Sequence, residues 1–245
     1  MTILRTIVTV LLVALLGACK AASGPEGSNA PRDAAERKQM ITLLAQGING
    51  PENPGDTAVA HWSGTIGIAV LGRSKAAQDT LFEQGIEPFM TDFNAITGVR
   101  FKRVAEAEAN VLVIMAEDVD ALRRDFERQM DRVLSDHRFT VVFEATVDRY
   151  EARCSYVALD SDYTYFGAVV FSSLPETDPH FAECVTPSLA GMVGLQGTPD
   201  GPGSIKSQGT FLRRPTELDR KALHILYGSK PGQKLRDIPA LQDDI

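Results

Sequence analysis

Ile66-Gly67-Ile68-Ala69-Val70, followed after a short break by Ala76-Ala77-Gln78-Asp79-Thr80-Leu81-Phe82-Glu83-Gln84-Gly85-Ile86-Glu87-Pro88-Phe89-Met90-Thr91-Asp92-Phe93-Asn94-Ala95-Ile96-Thr97, sets the class of this chain. The first run alternates like a strand, with Ile66, Ile68 and Val70 on one face. In the second, Leu81, Phe82, Ile86, Phe89, Met90, Phe93 and Ile96 recur every three or four residues, which predicts one long helix with a single buried face, bent at Gly85 and Pro88. Downstream, Val99 and Phe101 suggest a short strand and residues 111–115 a buried one. Residues 121–134 read as an amphipathic helix with Leu122, Phe126, Met130 and Val133 inward, and residues 139–147, 155–159 and 163–171 as strands. Strand and helix alternate early, then strands follow one another, then the last third turns helical. That order predicts an α+β domain, a mixed sheet packed against helices with a helical C-terminal third.

Upstream, Asp33 is a plausible N-cap for a helix carrying Met40, Leu43 and Leu44 on one face as far as Gly47. Residues 49–56 are dense in turn formers and lead to His61-Trp62. In the C-terminal third, Thr186 suits an N-cap, Pro187 a first helical position and Gly194 or Gly197 a left-handed stop. A second helix begins near Pro215, with Thr216 or the residue before it near the cap and Leu218, Leu223, Ile225 and Leu226 as core contacts.

The first twenty residues speak of location. Arg5, the apolar run 7–16 and then Leu16-Gly17-Ala18-Cys19 form a segment too short to span a bilayer, which needs about twenty apolar residues, and therefore read as a cleaved signal peptide over residues 1–18. Its end resembles the lipobox of bacterial lipoproteins, which implies a lipidated Cys19, a flexible tether over 19–32, an N-terminal helix and linker over 33–56, and a domain over 57–245. The resemblance also implies a membrane partner through that lipid, a periplasm-facing site in the cell envelope and, since Lys20 replaces the aspartate of inner-membrane retention, delivery to the outer membrane.

The formal charge of the whole chain is −7. Its acidic residues are dispersed, which argues against a nucleic-acid partner. With Cys19 spent on lipid, Cys154 and Cys184 remain as a pair outside the reducing cytoplasm and are expected to be bonded. Closing that loop stabilises the fold by about 3 to 4 kcal/mol on a chain-entropy account.

Cys184-Val185, Leu189, Val193-Gly194-Leu195, Ser204-Ile205, Glu217-Leu218-Asp219, Ile225-Leu226-Tyr227 and Pro231-Gly232, taken with Trp62, Thr97-Gly98, residues 110–115 and Cys154, resemble the bacterial domain-of-unknown-function family 2927 (DUF 2927) over roughly residues 57–240. That family is similar to zincin metallopeptidases, whose H-E-x-x-H-x-x-G-x-x-H helix and turn supply three zinc ligands and a general base. With Gly194-Leu195 at the glycine turn, the ligand positions fall on Pro187, Gly191 and Gly197 and the base position on Ser188. The two glycines and Pro187 have no donor atom, and a serine hydroxyl lacks a carboxylate's basicity. The resemblance therefore implies a degenerate metal site with no catalytic residue, no metal and no cofactor.

Other arrangements are weaker. His180 and Glu183, with His224 and Asp219, make an alternative ligand set for a metal-dependent hydrolase. His61 beside Trp62 and His137 before a strand are isolated. Ser172-Ser173 lack a glycine elbow and read as a turn, and the glycine-rich segment 197–203 near Lys206 lacks the G-K-[ST] order of a phosphate loop. Tyr150, Tyr156, Tyr163, Tyr165, Phe166 and Phe171 suit cross-strand pairing, or a face that binds a small ligand. The expectation is a non-catalytic envelope lipoprotein that binds another envelope protein, or a peptide in a vestigial cleft.

Overall fold

A computed structural model of the protein describes residues 29–45, 53–116, 154–200, 203–207 and 212–242. The helix expected over 121–134 and the strand over 139–147 lie outside these residues, as do Cys19, Tyr150 and His137.

The described chain runs α1 (Ala34–Leu44), β1 (His61–Trp62), β2 (Ile66–Leu71), α2 (Lys75–Leu81), α3 (Glu87–Thr97), β3 (Phe101–Arg103), β4 (Val111–Met115), β5 (Cys154–Ser161), β6 (Thr164–Ser172), α4 (Val185–Met192) and α5 (Glu217–Gly228). It is a mixed α and β fold, as the sequence predicts. β3, β2, β4 and β6 lie side by side and parallel, β1 continues along the start of β6 at Thr164 and Tyr165, and β5 runs antiparallel along the whole of β6.

The long helix forms in its predicted place, with a π turn at Phe82–Ile86 between α2 and α3. Pro88 explains the turn in part, since it has no N–H for the carbonyl four residues back, and a wider turn absorbs that loss. Gly85 explains the rest: a Cβ there would overlap the carbonyl oxygen of Ala182, so the helix can approach the α4 region only with glycine at this point.

All described helices contribute to one core on one face of the sheet. Met40 and Leu43 of α1, Phe89 and Phe93 of α3, Leu189 of α4 and Leu223 of α5 join Ile66, Ile68, Val113 and Val170 there. β2 departs from the half-exposed pattern its alternation suggests. Ala69 joins Leu112, Ile114, Val169 and Phe171 in a second buried cluster, so the parallel strands are buried on both faces.

α1 is capped as expected, with the Asp33 carboxylate accepting from Glu36 N–H at 2.8 Å. It is clamped to α5 by an ion pair, Lys221 Nζ to Glu36 Oε1 at 3.2 Å, with both residues under a tenth exposed. Arg32 also donates to Glu36 from its backbone and guanidinium. Burial by itself raises the Glu36 carboxyl, but the hydrogen bonds from Arg32 and Lys221 outweigh it and hold the group below its ordinary value.

Cys154 and Cys184 form a disulfide, with Cα atoms 5.9 Å apart, that fastens β5 to the start of α4. Among the described residues no helix is long and apolar enough to cross a membrane.

Candidate functional site

α4 carries Pro187, Ser188 and Gly191, three of the four positions the resemblance marks, beside the antiparallel strand, and its ends are built differently from each other. At the N-terminus the helix opens two residues earlier than expected: Cys184 is the N-cap and Val185 the first helical residue, so Thr186 is not the cap and Pro187 takes the third position. The disulfide holds Cys184, and the preceding turns run straight into the helix through Cys184 N–H to His180 C=O at 3.0 Å and Thr186 N–H to Glu183 C=O at 3.1 Å. Pro187 still leaves no carbonyl unbonded, because the Glu183 carbonyl four residues back accepts from Thr186 N–H. Thr186, which caps nothing, has a buried hydroxyl without a hydrogen-bond partner among the described residues.

The C-terminal end is fully satisfied. Gly194 takes the left-handed conformation at φ +109°, Leu195 N–H donates to Ala190 C=O at 2.9 Å and Gly194 N–H to Gly191 C=O at 3.0 Å, the paired bonds of a Schellman stop. Side chains reach the remaining carbonyls: Trp62 Nε1 donates to Met192 at 3.0 Å, Tyr227 Oη to Val193 at 3.0 Å and Gln196 Nε2 to Gly191 at 3.1 Å. Gly197, the other candidate stop, is instead pressed against α1. Its N–H donates to Leu43 C=O at 2.9 Å, and a Cβ would overlap the carbonyl oxygen of Thr42.

Two of the four positions expected for ligands and base have no room for a larger side chain. Ser188 is buried and Pro187 half-buried. A side chain at 191 would run into the ring of Tyr156 on β5, and one at 197 into α1. The residues do not fit zinc: three offer no donor, and an aromatic ring and a helix end fill the volume that imidazoles would need.

The alternative set is dispersed. His180 and His224 are exposed, the latter at a shallow groove with Ser229, Gln233 and Pro239. Glu183 accepts from Arg213 at 2.7 Å. Asp219 is fully buried and takes hydrogen bonds from Ser204 Oγ at 2.5 Å, Ile205 N–H at 2.9 Å, Thr216 N–H at 2.9 Å and Thr216 Oγ1 at 2.8 Å. Among the described residues no group of three or more histidine, cysteine, aspartate or glutamate side chains is placed to hold a metal ion. His61 stacks on Tyr227 at 5.0 Å, and Ser172 lies within β6, buried against Cys184 rather than in a turn.

Around Gly191 the structure assembles a polar cluster that sequence reasoning missed. Tyr156 Oη donates to Gln196 Oε1 at 2.8 Å, and Gln196 Nε2 donates to Tyr165 Oη at 2.8 Å. Burial pushes the Tyr165 phenol up to about 12. Beside them, Lys206 Nζ stands 5.2 Å from the centre of the Tyr156 ring. Burial lowers its ammonium to about 8, partly opposed by the nearby Asp219 charge.

Tyr156 and Tyr165 belong to the aromatic set the sequence marks. Gln196 carried no signal, and Lys206 was visible only as the residue that spoils a phosphate-loop pattern. The other marked aromatics divide: Tyr163 and Phe166 are each 48% exposed near the β5–β6 turn, whereas Phe171 is in the second core cluster.

No protein-family model matches this chain, and no curated protein is similar to it in sequence.

Proposed function

We propose that the chain is a non-catalytic, zincin-like envelope lipoprotein, held at a membrane by lipid on Cys19, that binds an extended peptide of an envelope partner along β5. The closure of the ligand helix carries this reading: the Tyr156 ring covers Gly191, and Pro187, Ser188 and Gly197 supply nothing to replace it. The zincin relationship is supported by the sequence resemblance, by the antiparallel strand β5 lying beside the helix that follows β6, and by the left-handed Gly194 at the position of the glycine turn. Among the described residues β5 pairs only with β6, and a strand with an open side can take an extended peptide by backbone pairing.

The test is metal content together with melting temperature, with and without chelator. The reading expects substoichiometric zinc and an unchanged melting point. One zinc per chain, or a chelator-induced drop of several degrees, would overturn it. Loss of palmitate incorporation in Cys19→Ser tests the anchor.

A further inference from the structure

We propose that Lys206 anchors a carboxylate-binding site at the β5 edge, with the Tyr156 ring as its platform. This deepens the peptide-binding reading and rests on it. Lys206 is placed by its loop: its own N–H donates to Ser204 Oγ at 3.0 Å, Ser204 Oγ donates to Asp219, and the neighbouring Ile205 N–H donates to the other Asp219 oxygen. Those bonds, with two more from Thr216, occupy Asp219 with four donors, and its charge acts on Lys206 without forming an ion pair with it.

The half-buried Lys206 ammonium, which has three N–H groups to give, makes no hydrogen bond or ion pair with the described residues and stands 5.2 Å from the centre of the Tyr156 ring. A cation set in place with no ion-pair partner among the described residues, in partly dry surroundings, attracts an anion more strongly than a solvated surface lysine does. The site offers a single positive charge, which a carboxylate matches one for one. Its lowered pKa is what an ammonium awaiting a partner shows, and a bound carboxylate would raise it again.

Two sources carry that chemistry: the terminal or side-chain carboxylate of a peptide on β5, and a small free carboxylate. The intact chain in neutral detergent, its lysines reductively methylated with carbon-13, is titrated with tetra-alanine bearing a free C-terminus, with the same peptide amidated, and with succinate. The Lys206 signal is assigned by its absence from Lys206→Met. Free tetra-alanine is expected to move that signal and raise its pKa, with the amidated peptide about tenfold weaker or more, Lys206→Met losing about the same factor and Lys206→Arg retaining binding. If succinate acts and tetra-alanine does not, the carboxylate site stands and the peptide reading falls. If both peptides bind equally and Lys206→Met changes nothing, the peptide reading stands and the carboxylate site falls. No response of the Lys206 signal to any probe overturns the proposal.

Discussion

Lys221 on α5 and Lys206 in the loop preceding that helix are both drawn out of water, yet one lies 3.2 Å from a buried carboxylate and the other stands over an aromatic ring. Lys221 joins α1 to α5 through Glu36, and Arg32 covers the same carboxylate from the other side. Lys206 has no such partner among the described residues, and the one acid nearby is saturated by hydroxyl and backbone donors. A buried pair is a structural clamp, because removing either charge strands the other. A half-buried single charge carries a desolvation cost that its contact with the Tyr156 ring offsets only in part.

The largest expected difference between the two is in stability. Lys221→Met leaves Glu36 with Arg32 alone and should cost about 3 kcal/mol in urea unfolding. A loss below about 1 kcal/mol would show that Arg32 carries the carboxylate by itself. Next comes the platform beneath Lys206. Gly191→Ala forces the Tyr156 ring aside and should cost about 2 kcal/mol, with most of that cost absent when the same change is made in Tyr156→Ala. Additive effects in that cycle would mean that the ring does not fill position 191.

Smaller, and opposite in sign to the clamp, Lys206→Met should leave thermal stability unchanged or raise it by up to about 1 kcal/mol, since an ammonium without a counter-ion is exchanged for an apolar chain of similar length. A clear loss would place Lys206 among the structural residues.

The pH dependence separates the two groups again. Lys206 has a folded value near 8 against an ordinary 10.5, so between those limits the unfolded chain holds more protons and stability should rise with pH, a rise that Lys206→Met lacks. Glu36 is held below its ordinary value. Its contribution is full above about pH 4.5 and disappears as the pH falls through the folded value, so Lys221→Met should flatten the acid limb of a denaturation profile.

Local signals carried much of the fold. Asp33 caps α1 and Thr216 caps α5 with a reciprocal Asp219 bond, as short-range hydrogen bonding dictates whatever the rest of the chain does. The apolar spacing of residues 76–97 made a helix because that periodicity has one low-energy way to be buried. The π turn was not legible, since it depends on Ala182, far along the chain, pressing on Gly85. The start of α4 was misplaced by two residues because Thr186-Pro187 is a sound local N-terminus, and a disulfide to β5 overrode it. The candidate site divides in the same way. That Pro187, Gly191 and Gly197 cannot ligate a metal followed from their chemistry alone, whereas the filling of that volume by Tyr156 and the end of α1 required the strands and helices to be assembled.

By itself the sequence determined the helix and strand types of the described elements, the caps of α1 and α5, and the absence of a metal-binding side chain at Pro187, Gly191 and Gly197, because each depends on covalent structure or on residues a turn or two apart. Only the tertiary structure decided that Gln196 links two tyrosines, that Asp219 secures the loop of Lys206 without neutralising it, and that Glu36 claims Lys221. Those outcomes are set by distances between side chains far apart in the chain, where packing chooses which charge finds a partner and which does not.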